Sequence, residues 1–140
     1  SMANDASPEG EGPRTRRTVT VADGTALAKG TLMVFEGGTR TAVAHASVTQ
    51  RFAGITVREK EASDGYVEVP VQTGGVAEIE AAGQIHAGDW VVLSATANQV
   101  RRININGALS YQELNALVGV ALQNAAAAAD KIDVSLGRPF

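Results

Sequence analysis

Cysteine is absent from this chain of 140 residues, which excludes a disulfide scaffold and any thiolate metal site. Aromatic residues are nearly as scarce, with one Trp, two Tyr and three Phe. The core must therefore be built from Val, Ile, Leu and Ala, which bury little area per residue, and association with other subunits is a natural way to bury more. Only two imidazoles are present, His45 and His86, and neither has a second ligand type at i+2 or i+4, so they are expected to be ordinary surface or edge residues and no metal site is predicted. No apolar run approaches the roughly 20 residues of a membrane-spanning helix. The acidic, Gly- and Pro-containing start lacks the apolar segment of a secretory signal. The net charge of -3 lacks the basic excess that marks a nucleic-acid-binding domain. Nucleophile elbow, P-loop, dinucleotide fingerprint and zinc-protease motif are all missing. No catalytic residue, cofactor site or metal ligand is assigned, and the chain is not expected to be an enzyme.

What the chain does contain is a repeat. "LAKGTLMVF" at 27–35 returns as "IHAGDWVVL" at 85–93. A shift of 58 pairs Val21 with Ile79, Leu27 with Ile85, Gly30 with Gly88, Leu32 with Trp90 and Val34 with Val92. After a stretch without a match the likeness resumes at a shift of 65, which pairs Gly54 with Gly119, Ile55 with Val120, and Val67, Val69 and Val71 with Ile132, Val134 and Leu136. The copies run over about 19–71 and 77–136, with a seven-residue insertion in the second near 103–116. Two copies are too few for a solenoid. Two half-units that each leave an apolar face uncovered can instead close on one another as a duplicated barrel or sandwich.

Residues 3–17, "ANDASPEGEGPRTRR", have no apolar periodicity and are rich in Gly, Pro and charge, the composition of a segment that stays disordered by itself. Residues 1–17 are thus read as a flexible arm, with Ser1 ahead of Met2 as a cloning remnant, and 18–140 as one β domain. Strand-like runs are predicted at 18–21, 31–36, 41–44, 54–58, 66–72, 76–80, 90–94, 99–105, 118–122 and 131–136. They are separated by turn signals such as Gly37-Gly38, Asp64-Gly65 and Asn106-Gly107. The helical exception is "SYQELNAL" at 110–117, where Ser110 and Glu113 have the spacing of a capping box. Ala125 to Ala129 aligns with a loop of the first copy and is read as a loop. The fold class is all-β with small α content: a duplicated β-barrel with a short helix in the second repeat.

Two constellations of charge invite a chemical reading. Glu78 and Glu80 share one face of a predicted strand, but Ala77, Ile79 and Ala81 alternate with them as the inward face, so the carboxylates form the solvated side. Glu59, Lys60, Glu61 and Asp64 read as a solvated loop tip. The glycines recurring at equivalent points of the two copies fit a backbone requirement better than a binding site.

The order of elements in "ALAKGTLMVF", "FAGITV", "YVEVPV", "VAEIEAAGQIHAGDWVVL", "LVGVAL" and "KIDVSL" resembles that of the capsid cement or head decoration proteins of tailed bacteriophages, over nearly all of 18–137. That resemblance implies a β-tulip or β-clip-like fold. It also implies a homotrimer on the exterior of an expanded icosahedral head, made in the host cytoplasm, with the major capsid protein as partner and neither nucleic acid nor membrane. The arm and first strand are then the expected capsid contacts: Arg14, Arg16, Arg17, Thr18, Val19, Thr20 and Val21. The alternatives are a non-catalytic β-clip ligand- or carbohydrate-binding module, which should offer an aromatic platform, and a biotinyl or lipoyl carrier domain. None of Lys29, Lys60 and Lys131 has the Met-Lys-like context that such a carrier needs.

Overall fold

Short runs rich in Val, Ile and Ala fold as ten strands in a computed structural model that describes residues 15–36, 41–46, 50–103 and 114–137. The first half holds β1 (Arg16–Thr20), β2 (Leu32–Phe35), β3 (Ala42–Ala44), β4 (Arg51–Thr56) and β5 (Glu68–Gln72). The second half holds β6 (Gly75–Ala81), β7 (Trp90–Leu93), β8 (Gln99–Arg102), β9 (Leu117–Ala121) and β10 (Lys131–Leu136). Every predicted strand is present, with ends displaced by a few residues. Strand β1 starts at Arg16, two residues upstream of the boundary that composition suggests, and strand β9 takes up Leu117, the last residue of the predicted helix. The capping box at 110–113 lies outside the described residues, as do the Gly37-Gly38 and Asn106-Gly107 turns. Leu114 and Asn115 have helical backbone, and no complete helix lies among the described residues.

The two halves have one topology. In the first, five strands run in the order β1-β5-β4-β2-β3; in the second, a closed barrel runs β10-β6-β8-β7-β9. Pairing is antiparallel except where β6 meets β8 in parallel and closes the barrel. The equivalent contact in the first half is a single parallel bridge between Thr20 and Thr41.

Registers confirm the repeat residue by residue. Val19 faces Val69 as Ala77 faces Val134, and Leu32 faces Ile55 as Trp90 faces Val120. A register irregularity follows Met33 in one half and Val91 in the other. Gly30 N–H donates to the Thr56 carbonyl as Gly88 N–H donates to that of Ala121. Likewise His45 N–H donates to Leu32 as Ile103 N–H donates to Trp90, which carries the first alignment through β3 and β8, where side-chain identity had been lost.

The repeated Gly54 and Gly119 have a common physical cause. A Cβ on Gly54 would lie 2.6 Å from Val71 Cγ2, and one on Gly119 would collide with the Ser135 carbonyl oxygen. Each glycine lets one strand cross close over its neighbour.

Alternation along the strands fills two cores. The first is Val19, Val21, Leu27, Met33, Ala42, Ala53, Val69 and Val71. The second is larger: it includes Ile79, Ile85, Val91, Val100, Val118, Ile132 and Val134, and continues into Leu32, Val34 and Ile55 of the first half. The outer face of β2 and β4 is therefore where the halves meet. Polar groups complete the junction. His45 is buried, donates from Nε2 to the Ser94 carbonyl at 2.8 Å, and accepts at Nδ1 the Asn98 N–H at 3.0 Å. Asn98 in turn accepts the Leu32 N–H on Oδ1 at 2.7 Å. The expected surface His45 is thus a buried tether between halves, and only His86 is exposed.

Candidate functional site

Of the residues singled out as contacts, Arg16, Arg17, Thr18, Val19 and Thr20 lie on β1 and Val21 directly follows it, and the two sides of this segment differ. Val19 and Val21 point into the first core at 5% and 4% exposure, while Arg16, Arg17, Thr18 and Thr20 are exposed. The backbone alternates as well. Val21 N–H donates to the Val67 carbonyl and Thr73 N–H to that of Thr15, both at 2.8 Å, so the odd-numbered residues bond toward β5. Antiparallel geometry then turns the N–H and C=O groups of Arg16, Thr18 and Thr20 to the opposite edge. Among the described residues only Thr20 finds a strand partner there, in its bridge to Thr41. This is a half-open sheet edge, able to take an added strand. Arg16 and Arg17 form no ion pair among the described residues. Arg14 lies outside the described residues.

Near the other end of β1, Lys60 ties loops together. Its Nζ reaches the Asp23 carbonyl at 2.9 Å, Asp23 Oδ1 at 3.3 Å, the Glu61 carbonyl at 3.0 Å and Asp64 Oδ1 at 2.8 Å. Asp64 also accepts the N–H groups of Glu61 and Tyr66. Burial pulls the Lys60 ammonium down, but the hydrogen bonds and charges of Asp64 and Asp23 outweigh it and hold the group above the ordinary lysine value. The Lys60 hydrogen bond, assisted by the Tyr66 N–H, holds Asp64 below the ordinary aspartate value. The predicted solvated loop tip is thus corrected at Lys60, which is 3% exposed. In the second copy Ala125 occupies the equivalent place, and Asp130 orders that loop instead by accepting the N–H groups of Ala126 and Ala127.

Glu78 is exposed and Glu80 accepts a hydrogen bond from Gln99 Nε2 at 3.0 Å, as expected for the outer side of β6. Among the described residues no group of three His, Asp or Glu side chains is placed to hold a metal ion. A groove of about 420 Å³ lined by residues such as Arg58, Glu59, Glu61 and Tyr66 is an open depression.

Residues 12–136 match the phage cement protein family. The chain belongs to that family. It is a structural, non-catalytic component of a phage virion head. Among solved structures it resembles the head fiber gp8.5 N base of bacteriophage phi29, with a TM-score of 0.55 and 12% identity over 89% of this chain and 94% of that one. No curated protein matches the chain.

The alternation of Thr18 and Thr20 with Val19 and Val21 made the two faces of β1 legible in the sequence. The open edge was not legible, because it depends on which strand lies beside β1. The partners of His45 are 49 and 53 residues away along the chain, and no local pattern announces them.

Proposed function

We propose that this cement protein binds the exterior of an expanded icosahedral head as a trimer and stabilises the shell through the arm and β1. Membership of the phage cement family over residues 12–136 carries the reading. Residues before Arg16 act as the arm and the chain from Arg16 onward as the β body, its halves arranged in the β-tulip, β-clip-like manner. Arg14, Arg16 and Arg17 guide the arm to an acidic rim of the major capsid protein, a guidance that salt weakens. Thr18 and Thr20 present side chains and strand edge to the shell, while Val19 and Val21 hold the strand from behind. A protein that binds only the assembled shell stabilises it by mass action, by about 2.7 kcal/mol per site at a hundredfold excess over Kd.

Co-sedimentation with expanded and unexpanded heads, together with the mass of the protein in solution, tests this. Selective binding to expanded heads is expected, weakened by added salt and by Arg16→Glu with Arg17→Glu. Equal binding to both head forms, or binding indifferent to these charge reversals, would place recognition elsewhere.

A further inference from the structure

We infer that the depression beside Tyr66 is a binding site for a neutral saccharide, with the Tyr66 ring as its stacking platform. Tyr66 is 66% exposed, in a chain that has only one other Tyr and one Trp. Its backbone is held from both sides. Lys60 Nζ joins Asp23 and Asp64 at 3.3 and 2.8 Å, Asp64 Oδ1 accepts the Tyr66 N–H at 3.0 Å, and Asp23 Oδ1 accepts the Gly65 N–H at 2.8 Å. The Val21 N–H bonds the Val67 carbonyl on the other side. The internal duplication shows that the turn itself does not need this cluster. Asp23, Lys60 and Asp64 have Ala81, Ala125 and Ala129 as counterparts, and Tyr66 has Lys131. Leu27 and Lys60 nevertheless exchange backbone hydrogen bonds just as Ile85 and Ala125 do. Burying a lysine has a desolvation cost that the second copy avoids with the same backbone. What the cluster adds in the first copy alone is a fixed, exposed aromatic ring, and such preorganisation favours binding.

The lining selects the class of ligand. Arg58 offers donors, and Glu59, Glu61 and Glu68 offer acceptors; all four are exposed and form no ion pair among the described residues. Sugar hydroxyls both donate and accept, which matches this mixture, and the C–H face of a sugar ring suits the negative face of an aromatic side chain. Carboxylates outnumber cations around the depression, which disfavours nucleic acid, anionic lipid and acidic sugars. A peptide is disfavoured by the sheet. Strand β5 is paired with β1 along its whole length and with β4 from Pro70 to Gln72, leaving too short an edge for an added strand. The lining also has no aliphatic side chain except the buried Val69, so no apolar hole waits for an anchoring residue.

An array of neutral, acidic and amino oligosaccharides, with a lysine-rich peptide as a further probe, tests the inference on the full chain, and calorimetry measures the affinity of what is retained. The variants are Tyr66→Ala, Tyr66→Phe, Arg58→Ala and, as a remote exposed site in the second half, His86→Ala, with circular dichroism to monitor folding. At least one neutral oligosaccharide is expected to bind. Tyr66→Ala should keep the β spectrum and bind it roughly tenfold more weakly, the worth of one stacked ring. Arg58→Ala should also weaken it, whereas Tyr66→Phe and His86→Ala should bind like the parent. No retained neutral saccharide, retention that Tyr66→Ala leaves unchanged, or a preference for the acidic or amino sugars or for the lysine-rich peptide overturns the inference. Each of these results leaves the head-binding reading standing, because co-sedimentation with heads measures that separately.

Discussion

Gly119 and Asp64 show how much single residues decide here, one by having no side chain and the other by its charge. At Gly119 any Cβ meets the Ser135 carbonyl, so relief requires the paired strands β9 and β10 to move apart. Gly119→Ala is expected to lose about 1–3 kcal/mol, the usual range for overpacking, and a denaturant midpoint equal to the parent's would show that the strands yield freely. Asp64 acts through pH. Its carboxyl sits below the ordinary value in the folded state, so its stabilising contribution is complete above the unfolded value of about 3.9 and is lost as pH falls through the folded value. Lys60 has the opposite sign: raised in the folded state, it contributes fully below about 10.4 and loses that contribution as pH rises through its folded value. Asp64→Asn should melt below the parent at neutral pH, and the gap should close on acidification below about pH 4. A gap that stays constant from pH 7 to pH 3 would mean the ion cluster contributes nothing.

Strand β1 belongs to the body's fold and, in the function proposed above, to the arm's contacts as well, and truncation separates the two. It pairs with β5 over all five residues and supplies Val19 to the first core. Thr73 also bonds Thr15, just ahead of the strand. Deleting residues 2–14 is expected to leave the melting temperature nearly unchanged while weakening sedimentation with expanded heads. Deletion through Thr20 should lower the melting temperature sharply, because β5 loses a partner strand and the core loses a side chain. If the longer deletion melts with the parent, β1 is dispensable to the fold. The boundary suggested by composition fell two residues late because Arg16 and Arg17 look like arm residues. Their place in the ladder comes from backbone pairing, to which side-chain polarity is nearly indifferent.

Across the whole molecule the duplication is closely kept in backbone and relaxed in side chains. Ile55 and Val120 occupy the same place in their halves, yet one lies under the other half and the other is partly exposed. Ile55→Ala is accordingly expected to lose about 2–5 kcal/mol, in the range for emptying a buried aliphatic site, and Val120→Ala clearly less. Equal losses in chemical denaturation would contradict the asymmetric packing of the halves. The sequence by itself determined the approximate positions of the strands and the recurrence of one pattern in two copies, because periodicity of two and Gly spacing are local properties written along the chain. Only the tertiary structure decided that Lys60 and His45 are buried, that Leu32 is covered while Trp90 stays partly open, and that among the described residues β1 meets only the Thr20–Thr41 bridge on its outer edge. Each of these depends on what lies across the fold from a residue, and partners dozens of positions away leave no mark in the local pattern.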